Sequence, residues 1–447
     1  MSKRHLLFSP VLPQSRGKTP DKKRWSNLIS SSASIALRYA AQQSARLTLV
    51  VTSDTPSAIR LEQELLSLNT EQPLNVSLFP DWETLPYDTF SPHQDIISQR
   101  LTTLYQLSRQ ASGIVIVPVT TLAQRLAPRS YIESNSFVVN KGDRKDLHQL
   151  RVELEASGYR YVDQVMEHGE FTARGSILDL YPMGSQTPYR LDFFDDEIEE
   201  IRIFDTENQR SSDKVDNIHL LPAHEFPTDD AGINLFRQRY RDTFQSSIDK
   251  ESIYHQVSNG IMPAGIEYYL PLFFEQSATL CDYLPENTNV VVHGDIDKAL
   301  EQYWLDIDYR YEDRRYDPTR PLLPPNELFL NVEALYTALK PFDRVTVDTS
   351  LVTEDEAQTS TERGRIIYDV MPLPPIAIDQ QQKQPFDLLN VFLADKTNPK
   401  KVLFIAESEG RRETLLELLK RNNITPRVFD TVEAFIEADD NYGVAVN

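Results

Sequence analysis

The first thirty residues carry no period: Lys18, Lys22, Lys23 and Arg24 are interspersed with Pro10, Pro13 and Pro20. A regular pattern then begins. Leu47 to Val51 is a continuous apolar run that predicts a strand buried on both faces, and Thr52-Ser53-Asp54 leads into a helix with Ile59, Leu61, Leu65 and Leu66 on its apolar side. Phe79 to Tyr87 is aromatic and broken by prolines. Ser91-Pro92-His93-Gln94 predicts a helix start, with Ser91 as the cap and Pro92 in the first helical position, before Ile97, Leu101, Leu104 and Tyr105 at helical spacing. Ile114 to Val119 is the next strand and Thr121 to Leu126 opens a further helix. Strands alternating with helices imply a parallel α/β sheet.

After Pro128 the texture changes. Asp143 is placed to cap a helix carrying Leu147, Leu150 and Leu154, which Gly158 stops. From Tyr159 to Leu221 short segments of period two are joined by Gly, Pro and acidic turns, the pattern of an inserted α+β module. Helical spacing returns with Ile233, Phe236, Tyr240 and Phe244, and Val290 to Val292 resumes the first unit. Prolines 318, 321, 324 and 325 mark a boundary, and the polar stretches Thr353 to Gly364 and Gln380 to Gln384 have linker composition. Val402 to Ala406, a leucine-rich helix through Leu419, and Arg427 to Phe429 form a last small α/β unit. The expected division is residues 1–128 for the first part of an α/β domain, 129–221 for the insert, 222–335 for the second part, and 336–447 for a linker and small α/β domain. The ending Val444-Ala445-Val446-Asn447 directly follows an apolar run, which predicts a chain cut before its last unit closes.

Length fits this division, since 447 residues at ~150 per domain give about three domains. Apolar residues at 40% and charged residues at 25% are a globular balance, and no apolar run approaches the ~20 residues of a membrane span. Lys3, Arg4, Leu6, Leu7 and Phe8 begin like a secretory leader, but Pro10 and Pro13 interrupt it too early. With Cys281 as the only cysteine there is no disulfide framework, and a soluble, cytoplasmic protein with no membrane partner is expected. Lys plus Arg number 46 against 67 for Asp plus Glu, a net charge of −21. Each phosphate contact needs a cation, so the balance argues against extended DNA binding by this chain.

Candidate chemistry is sparse. Gly17-Lys18-Thr19 resembles the end of a P-loop, but Leu12 stands where the first glycine is required. Asp195-Asp196-Glu197 mimics a Walker B motif, yet Tyr189 to Phe194 alternates, which predicts a hairpin turn rather than the end of a buried strand. A cryptic nucleotidase on that turn is one alternative function. Tyr309-Arg310-Tyr311 and Arg314-Arg315-Tyr316 interleave bases and rings as single-strand nucleic-acid binders do, a second alternative, although Glu312, Asp313 and Asp317 offset the charge. Gly410-Arg411-Arg412 at a helix start is crowded by Glu407, Glu409 and Glu413. No histidine, His168 included, has metal-ligand spacing, and no G-x-S-x-G elbow is present, so no catalytic, cofactor or metal residue is assigned. The hairpin face carries more information. Alternation puts Tyr189, Leu191 and Phe193 on one side and Arg190, Asp192 and Phe194 on the other, and an exposed Phe beside an Arg is the composition of a binding hot spot. In the other reading Phe194 turns into the core. Arg174 lies on the strand leading to Ile177, with Gly175 as a bulge that re-aims it.

Several long segments carry a resemblance. Asp81-Trp82-Glu83-Thr84-Leu85-Pro86-Tyr87-Asp88, Phe90 to Asp95, Val162 to Glu170, Pro188 to Glu197, Leu221 to Pro227 and Arg320 to Pro325 are similar to the bacterial transcription-repair coupling factors, the Mfd family, from about Leu47 to about Phe429. The first three-quarters also resembles the damage-recognition protein UvrB. The resemblance implies a UvrB-like parallel-sheet domain interrupted by a UvrA-binding insert, with Arg174, Arg190 and Phe194 on the UvrA-binding face. It implies a non-enzymatic part that recruits UvrA to stalled RNA polymerase for nucleotide excision repair, its face masked in the intact protein by a C-terminal domain. The polymerase-binding region and the ATP- and Mg-dependent DNA translocase follow in that family. Two UvrB features, the Walker A loop and the aromatic DNA-gripping hairpin, are missing; only Thr89 to Gln99 stands where the hairpin would be.

Overall fold

The structure is a computed structural model, and it describes residues 10, 12–13, 19–68, 74–244, 252–353, 364–372, 376, 386–394, 401–406 and 408–446. The leader-like residues Lys3 to Phe8, the pair Gly17-Lys18 and most of the two polar stretches lie outside the described residues. Strands β1 (Lys22–Ser26), β2 (Leu47–Thr52), β3 (Val76–Leu78) and β4 (Gly113–Pro118) alternate with helices Ser32–Gln43, Thr55–Ser67 and Gln94–Leu107. Every residue of β2 and β4 is buried, as expected for parallel strands covered on both faces. Their alternate side chains divide between two cores: Leu49, Val51, Val115 and Val117 on one side, Val50, Ile114 and Ile116 on the other.

The insert follows. It comprises β5 (Phe137–Asn140), helix Leu147–Ala156, β6 (Arg160–Tyr161), β7 (Glu170–Arg174), β8 (Ile177–Leu180), β9 (Tyr189–Phe194), β10 (Glu197–Phe204), β11 (Ser211–Val215) and β12 (Asn217–Leu220). Six of these strands make a sheet of order β11-β10-β9-β8-β7-β6, and β12 pairs β5 separately. The chain then returns through helix Asp230–Thr243 to β13 (Asn289–His293), helix Ile296–Arg314, β14 (Asp343–Val347) and β15 (Arg365–Ile367). All three strands join the first four in one sheet of order β15-β1-β14-β13-β2-β4-β3. This sheet does not close at residue 335 but takes in two later strands. A small parallel sheet of β16 (Val402–Ala406), β17 (Arg427–Val428) and β18 (Tyr442–Val446), with its own core around Leu419 and Val444, ends the described chain. The architecture is therefore a UvrB-like α/β domain interrupted by an α+β insert and followed by a small α/β domain. No helix among the described residues is long and apolar enough to cross a membrane.

Local details correct three sequence expectations. Helix Gln94–Leu107 is capped by His93, not Ser91, whose hydroxyl donates to Glu267 at 2.9 Å. Helix Leu147–Ala156 is capped by Asp146, whereas the Asp143 carboxylate accepts the Asn140 amide inside the preceding turn. On helix Thr55–Ser67, Ala58, Leu61 and Leu65 face the core and Ile59 and Leu66 face solvent.

Polar contacts hold the chain where it leaves the insert, and one crosses from the insert to the large domain. Arg100 is fully buried and donates to Glu225 and to the Pro80 carbonyl, both at 2.8 Å, and the Trp82 indole donates to the same Glu225 at 2.8 Å. Glu225 lies just past the exit of the insert. Breaking such a buried pair from one side typically costs about 3–5 kcal/mol. His168 meets Asp95 at 2.6 Å and the Ser185 carbonyl at 2.7 Å, so the sequence's most clustered histidine is part of this joint. Among the described residues no group of His, Cys, Asp and Glu is arranged to hold a metal.

Candidate protein-binding face

Strands β9 and β10 are joined by the two residues Asp195 and Asp196, with Asp195 in the left-handed region at φ 53°. The acidic triplet is thus a hairpin tip. Phe193 packs in the core with Leu178, Leu191, Ile198 and Ile201, which turns Phe194 the other way and leaves it 71% exposed. Gly175, at φ 62°, forms with Ser176 the turn between β7 and β8, and Arg174 pairs directly with Ile177. It is therefore a turn glycine and not a bulge, because no register shift interrupts the pairing.

The register brings all three expected residues onto one face. Arg174, Ile177, Asp192 and Glu200 are cross-strand partners in one row, and Asp179, Arg190, Arg202 and Lys214 form the next. Phe194 continues the β9 positions Arg190 and Asp192 on that side. Arg174 and Phe194 stand near the same end of the sheet, two strands across and two residues along, a separation of about 12 Å.

The face is charged but internally paired. Arg190 donates to both carboxylate oxygens of Asp179, at 2.7 and 2.9 Å, and its remaining nitrogen reaches the Gln209 carbonyl and the Ser211 hydroxyl at 3.3 and 3.2 Å. Its guanidinium also covers the buried Phe204 ring, 5.3 Å from the centroid. Hydrogen bonding to Asp179 raises the Arg190 pKa above an already high value. Arg202 contacts Glu200 at 2.7 Å, and Lys214 pairs with the same carboxylate; these hydrogen bonds hold Glu200 below the usual carboxylate range. Arg174 is exposed and donates to the Asp163 carbonyl. Phe194 is thus the large apolar side chain on a surface of satisfied ions. Sequence reasoning missed Asp179, which its position between Leu178 and Leu180 would have placed on the face of Arg190.

The other candidates are absorbed by the fold. Arg315 pairs with Glu312 at 2.8 Å and lies over Tyr311 and Tyr316, and Arg314 donates to the Tyr87 carbonyl at 2.7 Å. Ser408 caps the helix that carries Arg411 and Arg412, and Arg412 contacts Glu413 at 3.1 Å. Burial pushes the Cys281 thiol up to about 12, away from nucleophilic chemistry. The first strand–loop–helix junction of the large sheet, the kind of place a P-loop occupies, is Ser26 to Ser32, between β1 and its helix. It holds neither glycine nor lysine. Asn27, at φ 68°, fills it by donating to the Tyr368 and Val370 carbonyls at 2.9 and 2.7 Å.

Residues 137–226 match the UvrB interaction domain, and residues 392–447 match the D3 domain of MFD. The transcription-repair-coupling factor of Haemophilus influenzae is 46% identical over 429 residues, 96% of this chain and 36% of that protein. That of Escherichia coli K12 is 48% identical over 388 residues, 87% of this chain and 33% of its own length, and that of Bacillus subtilis is 28% identical over 279 residues, 59% and 24%. The chain spans about a third of the length of the first two of these relatives. With both family models in chain order and near-half identity along almost its whole length, the chain belongs to the transcription-repair-coupling factor family.

Proposed function

We propose that this chain is the recruitment part of a transcription-repair-coupling factor, and that UvrA docks on the outer face of the six-stranded sheet around Phe194. The observation that carries the reading is the exposed Phe194 on a rigid hairpin, within the segment that matches the UvrB interaction domain. Phe194 is the anchor, Arg174 a second contact at the same end, and Arg190 the residue that holds β9 in place through Asp179. In this reading RNA polymerase, DNA, ATP and Mg are engaged by parts of a coupling factor outside this chain. This part has no ATPase of its own: the loop from Asn27 to Ser31 has neither the glycines that curl amides around phosphate nor the lysine. Retention of purified UvrA on the immobilised chain tests the proposal, with an ATP thermal-shift series beside it. UvrA that elutes with the void, or stabilisation by ATP approaching ~2.7 kcal/mol at a hundredfold excess over Kd, contradicts it.

A further inference from the structure

Helix Ile296–Arg314 lies on the large domain with one face down. Ile296, Leu300 and Ile307 are buried, the Trp304 indole donates to the Leu330 carbonyl at 3.0 Å, and Arg314 donates to that of Tyr87 at 2.7 Å. The opposite face is bare. Leu305 is 64% exposed, and Tyr309, one turn on, and Tyr316, just past the helix end, are each 74% exposed. At about 100° per residue the three fall within about 40° of one line along the helix. Exposed apolar residues scattered singly are ordinary, whereas a row of them on one face marks a contact surface. Carboxylates border the row on both sides: Glu301, Asp308 and Glu312 along one flank, Asp306 and Asp313 along the other, all exposed. Apart from Glu312, which accepts from Arg315 at 2.8 Å, none of the five has an ion-pair partner among the described residues. The arginines of the segment do not offset this border. Arg315 is taken by Glu312, Arg314 points inward to the Tyr87 carbonyl, and the half-buried Arg310 lies about 120° round the helix from the row.

The middle of a helix has its main-chain groups paired internally, so whatever covers this face is recognised by side chains alone. An apolar row between two rows of carboxylates is complemented by an apolar row between two rows of Lys or Arg, which is the surface of a basic amphipathic helix lying along this one. Nucleic acid would supply bases to stack on the rings but would set its phosphates against the carboxylates, and a second copy of this chain would bring the same charge to the contact. We propose that the row Leu305, Tyr309 and Tyr316 docks a basic amphipathic helix of a partner protein. Its apolar side chains pack on the leucine and the two rings, and its Lys and Arg side chains reach the flanking carboxylates. This surface belongs to the large domain and acts independently of the face around Phe194.

The test is fluorescence anisotropy of the whole chain with three labelled probes. One is a helical peptide of about 18 residues built from leucine, lysine and alanine, with the leucines on one face and lysines along both its edges. The second has the same composition shuffled so that no apolar face forms, and the third is a single-stranded oligothymidylate. The expected result is saturable binding of the amphipathic peptide with a Kd on the order of 10 μM, at least tenfold weaker binding of the shuffled peptide, and none of the oligonucleotide. Leu305→Ser combined with Tyr309→Ser changes two exposed positions and should leave the melting temperature unchanged while weakening the amphipathic peptide at least tenfold. Asp306→Asn combined with Asp313→Asn should weaken it severalfold and reduce its salt dependence, and Phe194→Ala should not affect it. Absence of saturable binding, equal affinity for the shuffled peptide, full affinity in the Leu305→Ser, Tyr309→Ser variant, or binding of the oligonucleotide would overturn the assignment. So would self-association of the chain that the same double variant abolishes, since the occupant would then be a second copy.

Discussion

Arg190 and Phe194 share one face of one strand, yet their surroundings assign them opposite roles. Arg190 is bound twice to Asp179, whose carboxylate is 6% exposed. Arg190→Ala should therefore destabilise the fold by about 2 kcal/mol, seen as a lower denaturant midpoint, because it leaves a buried carboxylate unpaired. Arg190→Lys should recover only part of this, since an ammonium cannot make the two-pronged contact. A second residue-scale prediction concerns Glu267, 6% exposed, which burial pushes up to about 7 although Ser91 donates to it. Its folded pKa exceeds its unfolded value near 4.5, so its contribution is complete below pH 4.5 and is lost as pH rises toward 7. Glu267→Gln should then be more stable than the parent at pH 8, by about 3 kcal/mol, with the difference vanishing near pH 4.5 in paired melting curves. At this scale the exposure of Phe194 was legible from the alternation of β9, because Leu191 and Phe193 fill the core side. The caps were not. Ser91 and Asp143 have the right residue types, but Glu267 and the Asn140 amide compete for them, and sequence spacing does not record such partners.

Among the elements, the β9–β10 hairpin sets the aim of the candidate anchor. Its tip residue Asp195 sits at φ 53°, a conformation that Asp tolerates and β-branched residues resist. Asp195→Val should cost about 1–2 kcal/mol and weaken UvrA capture, while Asp195→Gly should leave capture intact; thermal melts beside binding assays check both. The same scale shows why β1 escaped sequence reading. Its residues Lys22 to Arg24 have no apolar pattern, and only Trp25 and Ser26 are buried in it, so its place between β14 and β15 comes from long-range pairing. The continuous apolar runs of β2 and β4 had no such ambiguity. The proline cluster before Pro325 misled for a related reason. Those residues pack within the large domain, where Leu323 is 3% exposed, and the sheet continues beyond them.

Taken whole, the molecule pairs a parallel-sheet domain whose first strand–loop–helix junction lacks the glycines and lysine of a phosphate loop with an insert whose outer face has its ions satisfied and its phenylalanine free. Net charge of −21 favours protein partners over nucleic acid, and the arginines of the Tyr309 to Tyr316 segment are already tied to Glu312 and the Tyr87 carbonyl. Central to the account is that Phe194 anchors UvrA. The direct measurement is the Kd of purified UvrA for the chain and for Phe194→Ala, with circular dichroism and melting recorded on both. Loss of at least ~2 kcal/mol of binding, roughly thirtyfold in Kd, with an unchanged melt is the predicted result. Affinity within about twofold of the parent, or weakening that appears only with a lowered melting temperature, would contradict it.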